Sequence, residues 1–165
     1  MTLRATALTP SAFAPFGDVI STEGRAGKVV NEGRGLRFDT GARLAHSTRA
    51  GAPTLALYQM QASRLPLTVA LLERHPHSAQ MFLPMGASRY LVVVAPNRAD
   101  GAPDAAAARA FVARGDQGII YAQGVWHMPL AALDATSTFA MMMYENGDAD
   151  DCVVRRLETP VVVSL

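Results

Sequence analysis

Cysteine, lysine and tryptophan are almost missing from this chain; each occurs once, as Cys152, Lys28 and Trp126. A single cysteine excludes an intrachain disulfide, so a reducing compartment is expected. Asp150 and Asp151 beside it disfavour a thiolate, which argues against a nucleophilic cysteine. The amino terminus carries no basic stretch followed by an apolar core and a cleavage site, and the expectation is a cytoplasmic protein. No apolar run approaches the roughly 18–20 residues that cross a bilayer. Tyr90–Ala95 and Phe139–Tyr144 are strand-length, so no membrane partner is expected. An excess of one charge is missing too: 15 Lys+Arg against 14 Asp+Glu leave +1. That balance provides no basic field for nucleic acid. All but one of the basic residues are arginine, as GC-rich coding produces. Internal repeats, heptads and low-complexity tails are absent. What remains is 165 residues, half of them hydrophobic, enough for one domain over residues 1–165 with a substantial core.

The apolar residues fall into short runs broken by Pro, Gly or Ser. Thr54–Ser63, Leu65–Arg74, Gln80–Leu83 and Arg89–Ala95 read as successive strands. Gln117–Tyr121, His127–Ala132, Ser137–Tyr144 and Asp151–Glu158 continue the series. Earlier come strand Asp18–Ser21, a glycine-rich loop over residues 23–35 with a short strand at Lys28–Asn31, and a strand in Arg34–Arg43. Thr9 and Pro10 start one helical turn that ends at Pro15 and Gly17. The spacing predicts one principal helix near Asp104–Ala113, with Asp104 as cap, a run of alanines and Gly115 as stop.

Three of the four histidines lie in two places. Glu73-Arg74-His75-Pro76-His77 is followed by Gln80, and Gly124-Val125-Trp126-His127 comes some forty residues later. In an extended strand residues i, i+2 and i+4 share a face. Glu73, His75 and His77 would then point one way, and Arg74 and Pro76 the other. His75, His77, Gln80 and His127 make a mixed nitrogen and oxygen donor set for a divalent metal. Glu73 can serve as ligand, as general base or as the group that orients an imidazole. Trp126 alternates away from His127 and is expected to pack or to meet a partner.

His75-x-His77…Gln80…Gly86 with Gly124-x-x-His127 resembles the two-part signature of the cupin barrel, which implies an all-β, cupin-like β-barrel with one or two short helices. Wider segments resemble the ureidoglycolate lyase family. They are Leu72-Glu73-Arg74-His75-Pro76, Gln80-x-Phe82-x-Pro84-Met85, Val92–Ala95, Gly115-x-Gln117-Gly118, Val125-Trp126-His127-x-Pro129-Leu130 and the amino-terminal Phe16–Ile20. The chain departs from the family at His77, often aliphatic there, and at Met128, often a second histidine. The resemblance implies cleavage of (S)-ureidoglycolate to glyoxylate and urea in allantoin and purine breakdown, and it implies nickel. His75, His127 and Glu73 would be catalytic. The substrate carboxylate calls for a cationic clamp, for which the planar fork of arginine suits best; Arg37 and Arg74 are the candidates, with Asn31 as a further substrate contact. A hydrolase releasing ammonia, another metal-dependent cupin enzyme or a small-molecule-binding cupin are the alternatives. Apolar strands, a sheet edge and Trp126 lead to the expectation of a homodimer.

Overall fold

The computed structural model describes Met1–Leu165. In chain order the strands are β1 (Thr2–Arg4), β2 (Thr6–Ala7), β3 (Gly17–Ile20), β4 (Lys28–Val30), β5 (Gly35–Arg37), β6 (Ala52–Met60), β7 (Leu67–Arg74), β8 (Gln80–Pro84), β9 (Arg89–Ala95), β10 (Arg109–Arg114), β11 (Gly118–Tyr121), β12 (Trp126–His127), β13 (Ala131–Leu133), β14 (Ser137–Glu145) and β15 (Val153–Ser164). One sheet runs β1-β15-β7-β12-β9-β10-β2, with β13 also on β9; the other runs β3-β11-β8-β14-β6. β4 and β5 form a separate hairpin. The only α-helix is the turn Pro10–Phe13, capped by the Thr9 hydroxyl on the Ala12 amide.

The two sheets close on each other because both present apolar residues to a shared interior. Tyr90, Val92 and Val94 from β9 meet Phe82, Ile119, Tyr121, Phe139 and Met141 from the other sheet. The opposite side of β9 is buried as well: Leu91, Val93 and Ala95 pack with Val69, Leu72, Trp126 and Val161 in a second core. A strand covered on both faces loses its alternation, which is why Tyr90–Ala95 reads as one continuous apolar run. β14 keeps its period of two, with Phe139, Met141 and Met143 buried and Ala140 and Met142 only half-buried.

The helix expected near Asp104–Ala113 does not form. Asp104 caps only a 3₁₀ turn, Ala105–Ala107, and the chain is extended by Ala108. Arg109–Arg114 then pairs antiparallel with β9 in continuous register. Helix propensity differs by less than about 1 kcal/mol per residue. Burying Phe111 alone is worth roughly 1.5–3 kcal/mol, and its strand neighbours Ala110 and Ala113 are buried with it. Tertiary packing therefore overrides the alanines. The single strand expected over His127–Ala132 is split into β12 and β13, since Pro129 has no N–H to give to a ladder. β15 runs past its expected end, to Ser164, through a register shift between Arg156 and Val161 that accommodates Pro160.

Candidate active site

The two histidine motifs meet at one end of the barrel. β12 lies between β7 and β9, and His127 stands directly opposite Glu73 in the antiparallel register. Gly124, at φ +76°, takes the turn that brings the second motif in, and its amide donates to the His75 carbonyl at 3.0 Å. Alternation along β12 sends Trp126 outward into the second core and His127 inward. Alternation along β7 does the same for Arg74 and Glu73.

His75 and His127 are both buried, with ring centroids 5.3 Å apart. His75 Nδ1 lies 2.7 Å from the Asp151 carbonyl and His127 Nδ1 lies 2.9 Å from the Val125 carbonyl. A carbonyl only accepts, so each Nδ1 carries a hydrogen, and in the neutral ring Nε2 turns its lone pair inward. His127 Nε2 faces Glu73 Oε1 at 3.5 Å. Two acceptors this close suit a proton or a cation shared between them. The ligand atoms of Glu73, His75 and His127 lie within 4.8 Å of one another. Gln80 completes the set: it is buried, its amide nitrogen points to Met143 Sδ at 3.5 Å, and its Oε1 is left without a partner. Of the six buried side-chain polar atoms without a hydrogen bond, four are His75 Nε2, Gln80 Oε1, Tyr121 Oη and His127 Nε2. Buried polar groups are otherwise almost always paired. Two imidazoles, a carboxylate and an amide oxygen fit a divalent metal.

Burial would raise the Glu73 carboxyl, but His127, by contact and charge, and His75 together hold it below the usual carboxylate range. Burial lowers His75 below the ordinary imidazole range, and the neighbouring His127 lowers it further. Both groups therefore favour the forms that bind a cation. Cys152 Sγ lies 3.9 Å from Glu73 Oε2, and burial followed by the Glu73 charge pushes its thiol up to about 11. It stays protonated, in keeping with the reading against a nucleophilic cysteine.

His77 is not brought into this cluster. β7 ends at Arg74 and the chain turns through Pro76, so the same-face rule stops applying before residue 77. Both of its ring nitrogens are engaged elsewhere, Nδ1 with Ser47 Oγ at 3.4 Å and Nε2 with Asp150 Oδ2 at 2.8 Å. Arg74 faces outward: it covers the Trp126 ring at 4.7 Å and donates to Asn97 Oδ1 and the Gly101 carbonyl. The largest surface cavity, about 590 Å³, opens on that outer side between Arg74, Trp126, Arg155 and Arg156 and touches none of the inner residues. Arg37 lies on the β4–β5 hairpin, exposed and paired with Asp39 at 2.7 Å. Asn31 sits in the turn of that hairpin at φ +52°, its carbonyl accepting from the Arg34 amide. None of these three side chains hydrogen-bonds or ion-pairs with the side chain of Glu73, His75 or His127.

Two contributors escaped the sequence reading. The Asp151 carbonyl fixes the His75 tautomer from the loop before β15, and nothing in a sequence marks a backbone acceptor. Tyr121 lies flat on His127, with centroids 4.0 Å apart and planes 10° apart. Its signal was available, since strand pairing of residues 117–121 with 80–83 puts Tyr121 beside Gln80. Burial, with Tyr90 and Glu73 nearby, pushes its phenol well above the ordinary range, so the hydroxyl keeps its proton.

A two-sheet barrel with two imidazoles, a carboxylate and an amide converging on its inner face defines a cupin-like protein with a candidate divalent-metal site. The rmlC epimerase of Mycobacterium tuberculosis shares the fold, with a TM-score of 0.50 at 18% identity over 90% of this chain and 70% of that one. The chain belongs to the ureidoglycolate lyase family, whose model matches residues 1–164. It is 46% identical to a ureidoglycolate lyase of Burkholderia cepacia over 141 residues, covering 85% of this chain and 78% of the relative. It is 36% identical to the ureidoglycolate lyase of Pseudomonas syringae pv. tomato over 151 residues, covering 92% and 87%.

Proposed function

We propose that this chain is a ureidoglycolate lyase, eliminating urea from ureidoglycolate to leave glyoxylate. The observation that carries the reading is the inward cluster of Glu73, His75, Gln80 and His127 with its unpartnered atoms, in a chain of this family. The hydroxyl of the substrate loses its proton as the carbonyl forms, the carbon–nitrogen bond breaks, and the departing ureido nitrogen gains a proton. No net proton is consumed. Glu73, held in its ionised form, is the base for the hydroxyl. Its Oε1 faces the histidines, and its Oε2, on the side of exposed Cys152, accepts only the weak thiol contact at 3.9 Å and is the oxygen that takes the proton. His127, 3.5 Å from Glu73 Oε1, positions this base, and Glu73 passes the same proton on to the leaving nitrogen. A divalent cation held by His75, His127, Gln80 and Glu73 would add Lewis acidity toward the hydroxyl and carboxylate oxygens.

Nickel is the metal we assign, on the family resemblance and on imidazole donors that suit it. The reaction belongs to the late, nitrogen-recovering steps of allantoin and purine breakdown in the cytoplasm. A homodimer is part of the reading, supported by edge strand β6, which leaves Leu55 and Leu57 exposed. Trp126 is buried within the chain and is not the contact. No helix is long and apolar enough to cross a membrane, and neither membrane nor nucleic acid is a partner in this reading. The test is product analysis on ureidoglycolate. Equal amounts of glyoxylate and urea are expected, and ammonia in place of urea contradicts the assignment.

A further inference from the structure

The inner face is rich in acceptors and poor in donors. No arginine or lysine hydrogen-bonds or ion-pairs with Glu73, His75, His127 or Tyr121. Arg37 and Arg74, the residue types suited to a carboxylate, are held elsewhere by Asp39, and by Asn97 and Gly101. A substrate with a carboxylate beside its reacting carbon still needs a hydrogen bond from the protein.

One neutral donor is in place. Tyr121 pairs with Gln80 across β11 and β8, so both side chains project from the same face into the barrel. Its ring is clasped between His127 on one side and the edges of Phe13 and Phe82. Phenylalanine would serve that packing as well as tyrosine does. The hydroxyl therefore calls for its own explanation, because it is buried and unpartnered, and such a group destabilises a fold unless something else pairs with it. Tyr90, the other fully buried tyrosine of this core, does have its partner, the Gln117 carbonyl.

We propose that Tyr121 binds the substrate, its hydroxyl donating a hydrogen bond to the carboxylate while its ring keeps His127 in plane. The inference rests on the lyase reading for the identity of the substrate. One side chain then registers the substrate against His127 and the base it positions, and the site selects an α-hydroxy acid over the corresponding neutral compound.

Tyr121→Phe keeps the ring and removes only the donor. Glyoxylate binding to metal-loaded wild type and variant, followed by calorimetry, needs no turnover. The Kd of glyoxylate and the KM of ureidoglycolate should each rise about 10- to 100-fold in the variant, with kcat changing less than KM and metal content unchanged. Inhibition by N-(hydroxymethyl)urea, which lacks the carboxylate, should be the same in both proteins. Equal glyoxylate affinity in the two proteins, or no measurable glyoxylate binding by wild type, overturns the proposal. An equal loss for N-(hydroxymethyl)urea overturns it too, since the variant would then have damaged the pocket as a whole. Wild type that binds glyoxylate but releases no urea counts against the lyase reading and leaves the carboxylate contact standing.

Discussion

The adjacent pairs Glu73-Arg74 and Trp126-His127 each put one residue on the outer face of the sheet and one on the inner face, and the two faces treat their polar groups differently. Outside, Arg74 lies on Trp126 and donates to Asn97 and Gly101, while the Trp126 indole also donates to the Gly101 carbonyl. Those groups fasten the 97–101 loop to the sheet, and the Arg74 Nε alone is buried without a partner. Inside, His75, Gln80, Tyr121 and His127 each leave an atom unpaired. Leaving a buried polar group unmade costs about 1–3 kcal/mol, so four in one place is a cost that folding does not repay. A ligand does. The outer face is built for stability, the inner face for binding and chemistry.

The comparison breaks most sharply at His127. His127→Ala should cost about 10²- to 10⁴-fold in kcat/KM and should lower bound metal in untagged protein, measured by elemental analysis. Full activity with full metal would remove the inner face from the mechanism. A second effect appears in pH dependence of the metal-free protein. His75 has its folded pKa lowered by burial, below the ~6.5 of the unfolded chain. Between those values the unfolded state binds the proton that the folded state refuses, so stability falls as pH drops below ~6.5. Glu73, lowered by its histidines despite burial, adds a loss of the same sign at lower pH, below its ordinary ~4.3. Melting between pH 7.5 and 5.5 should therefore be steeper in wild type than in His75→Gln, and parallel curves would contradict it. The smallest effects belong to the other two histidines. His77→Ala releases Ser47 and Asp150 and should lower the melting temperature while leaving metal content unchanged. His46→Ala removes a ring stacked on Tyr144 and should change kcat/KM by no more than about twofold.

Much of this was legible before the structure. Arg89–Ala95 is a strand to the residue, and Glu73, His75, Gln80 and His127 do converge, because alternation and the paired motifs report directly which way side chains point. The failures have local causes. Asp104–Ala113 carries helix-forming alanines, yet the burial of Phe111 against β9 lies in another part of the chain. The strand rule misplaces His77 because it extends across Pro76, where the strand has already ended. The importance of Tyr121 is silent in the sequence because it lies in what is absent, a partner for its hydroxyl, and only packing reveals that.

The most direct measurement compares two neighbours. Glu73→Gln and Arg74→Gln differ by one position in β7 and by the face they occupy. With ureidoglycolate as substrate, Glu73→Gln should lose about 10²- to 10⁴-fold in kcat/KM. Arg74→Gln should lose about 1–2 kcal/mol of stability from its stacking and hydrogen bonds, with kcat/KM within about twofold of wild type. A large loss of kcat/KM in Arg74→Gln, or none in Glu73→Gln, would contradict the assignment of chemistry to the inner face.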